Sequence, residues 1–328
     1  MKKILVTGAL GQIGAELVPA LRDRYGAEAV IASDIRLPQR AVAGTVDATV
    51  DGGPFEQLDC TKRRAVQEAV RQYDVGTIYH MAAMLSAVAE QKPQSAWELN
   101  MGSLYHMLEV ARTARCALFF PSSIGAFGPT TPSERAPQDT VQRPNTIYGV
   151  TKVAGELLCD YYVARFGVDA RGLRLPGLIS YAAPPGGGTT DYAVDIFYQA
   201  IRYRHFVCPL APDTRLDMMY MPDAIRATIE VMTADAARLK HHNAFNVTAI
   251  NVTPEELAGE IRKHIPEFVM EYDVDPVRQR IAESWPRAMD DSEARAQWGW
   301  RPRYDLAAMT KDMIDKLRAR LKPAATAR

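Results

Sequence analysis

The chain predicts an α/β protein: a doubly wound parallel sheet with a smaller, discontinuous C-terminal lobe. Three observations carry this reading. Short apolar runs alternate with longer amphipathic ones, a spaced set of glycines follows the first run, and the rhythm loosens after residue 175. With 328 residues, 47% hydrophobic and 24% charged, the chain can bury a large core. Lys+Arg and Asp+Glu both count 39, so a formal net charge of zero gives no electrostatic footing for nucleic acid or an anionic membrane.

The elements follow in order. KILVTG (3–8) reads as a strand, and QIGAELVPALRDRYG (12–26) as a helix closed by Gly26. AVIASD (29–34), FEQLD (55–59), TIYHMA (77–82) and ALFFPSS (117–123) read as further strands, separated by helices over 62–73 and 95–114. A helix over 146–166 precedes the strand ARGLRL (170–175), and RLDMMYM (215–221) and AFNVT (244–248) add two more strands. Thr253, Pro254 and Glu256 spell a capping box at a helix start. The stretch 266–328 reads as mixed α+β.

The four cysteines, Cys60, Cys116, Cys159 and Cys208, show no CxxC or Cys/His spacing. No metal is expected, and reduced thiols in a cytoplasmic protein are. The N-terminal apolar run breaks at Thr7-Gly8, too early for a secretory signal, and no stretch is long enough to span a membrane.

Directly after the first strand, Gly8, Gly11 and Gly14 are spaced GxxGxxG around Gln12 and Ile13. The first glycine makes a tight turn, the second lets backbone approach a pyrophosphate, and the third packs helix on strand. Asp34, with Ile35 beside it, ends the second strand, where a carboxylate accepts from both ribose hydroxyls and repels a 2′-phosphate. The expected cofactor is therefore NAD rather than NADP. Asp59, followed by Cys60, is placed to accept from the adenine amino group, and Met81, Ala82 and Ala83 offer small residues where backbone passes the cofactor. His80 is expected to pack within the sheet. These features define a dinucleotide-binding Rossmann unit of 1–175 and 212–248, leaving 176–211 and 249–328 as a substrate-binding lobe.

YGVTK places Tyr148 and Lys152 on one helical face, behind a strand ending in Ser123. At the carboxyl edge of a parallel sheet, Ser123 can hold a substrate oxygen while Tyr148 accepts its proton. An ordinary tyrosine is a poor base at neutral pH, and a nearby Lys152 ammonium favours the phenolate.

Gly8/Gly11/Gly14, Asp34, Asp59, HMAA, Asn100, PSSIGAFG, Tyr148/Lys152 and RLPG together resemble the extended short-chain dehydrogenase/reductase family, in its epimerase/dehydratase group. The resemblance implies that Ser123, Tyr148 and Lys152 are catalytic. It adds Asn100, Leu175 and Pro176 to the cofactor side, with Pro176 against the nicotinamide. It also implies a homodimer through helices at 93–115 and 146–166. The chain departs from the family's sugar-nucleotide members at SSIGAFG, where Phe127 replaces the usual tyrosine.

RLPGLIS, PGGGTTDYAVD, LAPDTRLDMMYMPDA and SWPRAMDDSEARAQWGW are similar to the short-chain L-threonine 3-dehydrogenase branch of that family. Such an amino-acid substrate needs an acid for its ammonium and neutral donors for its carboxylate. GGGTTD supplies Asp191, Thr189 and Thr190, and Ser86 adds a hydroxyl at the same sheet edge. The expected reaction is NAD-dependent oxidation of L-threonine at its 3-hydroxyl to 2-amino-3-oxobutanoate. Two alternatives stand beside it, a sugar-nucleotide epimerase or dehydratase on the same scaffold and a non-catalytic dinucleotide-sensing protein; for the loop itself the alternative is a surface segment in which Thr189 merely caps the next helix. Trp285 fits either a lid or plain packing, and Met218 and Met219 are expected in the core.

Overall fold

A computed structural model of the protein describes residues 2–38, 51–182 and 188–321, so residues 185–187 of the second glycine loop lie outside it. Six strands build the first half: β1 (Lys3–Thr7), β2 (Val30–Asp34), β3 (Phe55–Gln57), β4 (Val75–His80), β5 (Ala117–Ser123) and β6 (Ala170–Leu175). They are followed by β7 (Gly177–Ile179), β8 (His205–Cys208), β9 (Leu216–Tyr220), β10 (Phe245–Asn246), β11 (Ile250–Val252) and β12 (Val269–Tyr272). The main sheet runs β10-β6-β5-β4-β1-β2-β3 with every adjacent pair parallel. The strand order reverses beside β1, and the crevice there, beyond the carboxyl ends of β1 and β4, is where such sheets bind ligands.

Helices cover both faces. They are α1 (Gly14–Tyr25), α2 (Arg63–Gln72), α3 (Ser86–Gln91), α4 (Pro93–Trp97), α5 (Ser103–Ala114) and α6 (Ile147–Phe166). Strand β1 shows why its run is continuously apolar. Ile4 and Val6 pack in one core with Leu17 and Leu21 of α1, whereas Leu5 packs in the other with Val66 of α2 and Leu108 of α5. Gly155 allows α6 to lie close on β5, since a Cβ there would stand 2.5 Å from Phe120 Cζ. Thr146 caps α6 by accepting from Gly149 N at 3.1 Å.

The remaining helices are α7 (Tyr192–Tyr203), α8 (Met221–Thr233), α9 (Pro254–Arg262), α10 (Pro276–Glu283), α11 (Ser292–Trp298) and α12 (Leu306–Leu321). A three-stranded sheet, β11-β9-β7, and the pair β12-β8 pack with α7, α9 and α12 around a separate core containing Tyr192, Phe197, Met218 and Met313. Met218 and Met219 are both fully buried. The capping box forms as spelled: Glu256 N donates to Thr253 Oγ1 at 3.2 Å, and Thr253 N donates to Glu256 Oε2 at 3.0 Å.

Four expectations are corrected. The helix over 95–114 contains a π turn at Glu98–Gly102 that carries Asn100. There the Asn100 amide bonds Met84 N, Met84 O and Thr151 Oγ1, and such insertions widen a helix where a side chain must reach inward. Strand 216–220, assigned above to the dinucleotide-binding unit, lies in the small sheet, because both its neighbours are β7 and β11. Strand β3 ends at Gln57, and Asp59 instead heads a turn, accepting from Thr61 N at 2.9 Å. Asp191, not Thr189, occupies the N-cap position of α7.

Candidate active site

A cavity of about 220 Å³ opens at the carboxyl edge of the sheet. Its floor is the glycine loop, Gly8 and Gly11 to Gly14, with Met81 and Ala83 after β4. Ser123, Tyr148 and Lys152 form one wall, and Leu175 and Pro176 follow at the end of β6. The facing wall carries Ser86, Thr189, Thr190 and Asp191. Residues more than 180 positions apart in the chain therefore share one enclosure of small-molecule size.

The glycine loop fits a dinucleotide. Gly8 has φ 66°, and a Cβ on it would stand 2.7 Å from Ala82 N. A Cβ on Gly14 would stand 2.3 Å from the Gly8 carbonyl oxygen. No side chain caps α1, and Gln12 Nε2 is buried with no protein partner. A helix N-terminus with unspent donors is a phosphate site. At the end of β2, buried Asp34 accepts from Leu10 N through Oδ2 at 3.1 Å, while Arg36 Nε meets its Oδ1 at 3.1 Å. The Arg36 side chain is 64% exposed, so this pair is held in water and yields readily to a ligand.

Of the groups at the end of β5 and the start of α6, Lys152 is buried and Ser123 and Tyr148 are partly exposed. Burial pushes the Tyr148 phenol up to about 12, offset in part by the Ser123 hydroxyl. Burial also draws Lys152 down to about 8, opposed first by the Glu156 carboxylate one turn further along α6. Lys152 Nζ donates to the Pro121 carbonyl at 2.6 Å and lies 5.3 Å from the centre of the Tyr148 ring. Ser123 Oγ accepts from Gly125 N at 3.1 Å, which turns its side chain across the strand end. An enclosed hydroxyl, phenol and ammonium in this order can accept a proton from an alcohol and pass its charge inward.

The segment Gly188–Asp191 is organised by its own turn. Asp191 Oδ2 accepts from Gly188 N at 2.6 Å, and Thr189 is buried. Negative charge from Asp191 is felt at Asp195, whose own carboxyl burial and that charge push upward.

Several expected residues lie elsewhere. Asp34, Ile35, Asp59 and Cys60 sit along the same sheet edge but outside the cavity lining. Ile35 is 61% exposed, and Cys60 is buried with its thiol pushed up to about 12. Ala82 and Asn100 border a void of about 10 Å³ behind the site, together with His80, Ala83, Thr151 and Lys152. His80 is fully buried between Thr7 Oγ1 and Ser103 Oγ, each at 2.9 Å, as a packed histidine. Sequence reasoning missed Leu85, Pro121, Ser122, Ile124, Gly177, Leu178 and Gly188, which also line the cavity. Most of them adjoin a strand's carboxyl end, and Gly188 belongs to the glycine loop already singled out in the sequence. Trp285, left open above, lines the cavity and also packs against the cluster of Ile124 and Phe127.

The chain belongs to the NAD dependent epimerase/dehydratase family, whose profile matches residues 4–248. Its cofactor is NAD. An uncharacterized epimerase/dehydratase of Staphylococcus saprophyticus is 52% identical over 322 residues, covering 98% of this chain and 99% of that protein. The crystal structure of an L-threonine dehydrogenase from Clostridium difficile superposes with a TM-score of 0.94 at 55% identity, covering 97% of this chain and 98% of that one. A GalE-like L-threonine dehydrogenase from Cupriavidus necator, in its holo form, gives 0.91 at 48%, covering 96% and 99%. Among the described residues no helix is long and apolar enough to cross a membrane, and no three His, Cys, Asp or Glu side chains group to hold a metal ion.

The placement of Asp34 sets the first prediction. The parent protein should prefer NAD over NADP, and Asp34→Ala should narrow the ratio of the two kcat/KM values by roughly ten- to a hundredfold, the scale of a charged hydrogen bond. Equal use of both cofactors by the parent would remove this role from Asp34.

Proposed function

We propose that the protein oxidises L-threonine at the 3-hydroxyl, with NAD, to 2-amino-3-oxobutanoate. One observation carries the reading: a loop carboxylate and two loop hydroxyls, Asp191, Thr189 and Thr190, line the same cavity of about 220 Å³ as Ser123, Tyr148 and Lys152. A substrate with a secondary alcohol at one end and an ammonium and a carboxylate at the other matches both walls.

NAD supplies the hydride acceptor. Tyr148 takes the hydroxyl proton as the C3–H bond gives up its electron pair and a carbonyl forms at C3. Ser123 hydrogen-bonds the substrate oxygen and holds it at the phenol. Burial alone keeps Tyr148 protonated, near 12, so its proton affinity must fall when a positive charge lies close. Lys152 is the resident cation, anchored on Pro121 O so that its charge stays beside the phenol ring. Asp191 pairs with the substrate ammonium, and Thr189, Thr190 and Ser86 donate to the carboxylate. Met81, Leu175 and Pro176 screen the reacting carbon from water.

Two variants test the roles. Tyr148→Phe removes the proton acceptor and should lower kcat by about 10²–10⁴-fold with NAD affinity nearly unchanged. Near-parental turnover would exclude Tyr148 as the base. Asp191→Asn keeps the size of the side chain and removes its charge. Its kcat/KM for L-threonine should drop roughly ten- to a hundredfold, and its discrimination against 3-hydroxybutyrate should weaken. If the parent protein ignores threonine and interconverts a sugar nucleotide in the same assay series, the reading falls.

The same reading pairs two copies through α5 and α6. Tyr105, Leu157 and Tyr161 expose 45%, 63% and 54% of their surface there, much for large apolar side chains. Sedimentation velocity should give twice the chain mass; a single-chain mass would dismiss the pairing.

A further inference from the structure

Glu16 is a half-buried carboxylate outside the chemistry described above. It lies on the first turn of α1, two residues past Gly14, on the helix whose N-terminus faces the cofactor side. Its Oε1 accepts from Ser180 Oγ at 2.5 Å, across 164 positions of chain. Ser180 directly follows β7, whose Gly177 and Leu178 line the cavity, and it precedes the segment that leads to Thr189, Thr190 and Asp191. Ser180 Oγ also accepts from Ala182 N at 3.1 Å, which fixes the start of that segment as a turn.

The C-terminal helix closes on the same point. Arg320 Nη1 donates to the Tyr181 carbonyl at 2.7 Å and also to the Ala182 carbonyl, and Lys316 Nζ lies 4.4 Å from the centre of the Tyr181 ring. Tyr198 OH reaches the Tyr181 carbonyl at 3.4 Å. From β9, Tyr220 OH donates to Asp312 Oδ2 at 2.7 Å, and Lys316 Nζ meets Asp312 Oδ2 at 2.8 Å. The charged and titratable groups around Glu16 are thus Lys316, Arg320 and Asp312 on α12, Tyr181 after β7 and Tyr220 on β9.

We propose that Glu16 is a positioning residue for the amino-acid half of the site: through Ser180 it ties the cofactor-side helix to the root of the loop that carries Thr189, Thr190 and Asp191. The proposal deepens the threonine reading and rests on it for the identity of the substrate alone. One hydrogen bond thus joins α1 to the end of β7, and α12 meets the same point through Arg320 and Lys316. Burial pushes the Glu16 carboxyl up to about 6, against the Ser180 hydrogen bond and the charges of Lys316 and Arg320. Above that pH the carboxylate attracts both cations. The cost of burying that charge outweighs the attraction, so the tie is tightest with the carboxyl neutral and weakens as pH rises through about 6.

The test uses the full chain. Ser180→Ala should raise KM for L-threonine about five- to tenfold, the scale of one hydrogen bond, with kcat and the Kd for NAD within about twofold of the parent. Ser180→Thr keeps the hydroxyl and should restore KM. In the parent, amide exchange over 177–182 should speed up as pH rises through about 6, beyond the intrinsic pH dependence of exchange, and Glu16→Gln, neutral throughout, should lack that extra change. Hydrogen exchange reads the tie without any substrate: NAD should slow the amides of 177–182 in the parent and in Ser180→Thr, but not in Ser180→Ala. Equal slowing in all three, or an unchanged KM in Ser180→Ala, would overturn the proposal. If the parent does not oxidise threonine, the function reading fails and the exchange comparison still decides the role of Glu16. Should Ser180→Ala not fold, the pH profile of Glu16→Gln decides it.

Discussion

The geometry of the catalytic wall depends on one buried ion pair, Arg174 of β6 with Glu156 of α6. The guanidinium meets the carboxylate twice, Nη2 to Oε2 at 2.8 Å and Nε to Oε1 at 3.0 Å, with both side chains almost fully enclosed. Ser122 and Gln142 donate the remaining hydrogen bonds to the carboxylate, and Arg174 Nη1 donates to Gln138 O and Asn246 Oδ1. The pair therefore joins β5, β6, β10, α6 and the chain between β5 and α6. Removing either partner leaves a charge buried without compensation, at a cost of about 3–5 kcal/mol. Ser122 precedes Ser123, and Glu156 lies four residues beyond Lys152. The bidentate geometry thus sets where α6 stands along β5 and where the phenol and ammonium meet the strand end.

The ionisation of the site follows from the same burial. An enclosed phenol resists losing its proton and an enclosed ammonium resists keeping its own, so Tyr148 and Lys152 are pushed toward a shared neutral state. Glu156 opposes this at Lys152, and the Pro121 carbonyl opposes it by accepting the ammonium's hydrogen bond. The Glu156 carboxylate thereby helps keep the cation beside the Tyr148 ring.

What the sequence disclosed was mostly local and steric. Gly8 and Gly14 stand where any side chain would collide with backbone, and glycine spacing records that directly. Tyr148 and Lys152 share a helical face by period alone, and the alternation in β1 foretold two covered faces. Requirements met by distant chain left no such mark. The π turn at Asn100 satisfies Met84 and Thr151, neither of which is adjacent in sequence. Strand β9 carries the same apolar alternation whichever sheet it joins, so its partners β7 and β11 were not readable from its residues. Asp59 was read as a strand end because the apolar run continues to Leu58, whereas its side chain prefers to close a turn on Thr61. Glu16 has its hydrogen-bond partner, Ser180, 164 positions away, so nothing in its local sequence marks the contact.

His80 sits under the cofactor floor with both ring nitrogens engaged, one at Thr7 and the other at Ser103. Burial, helped by the nearby Lys152 charge, holds its protonation down to about 3. The imidazole is therefore an uncharged spacer through the whole range in which a cell operates, and it stitches β1, β4 and α5 together with dipoles only. Next to it Lys152 Nζ is held on the Pro121 carbonyl, so the charge in this layer belongs to the ammonium and not to the imidazole. Electrical constancy in that layer lets the enzyme respond to pH through its outer parts while the bed of the cofactor stays the same.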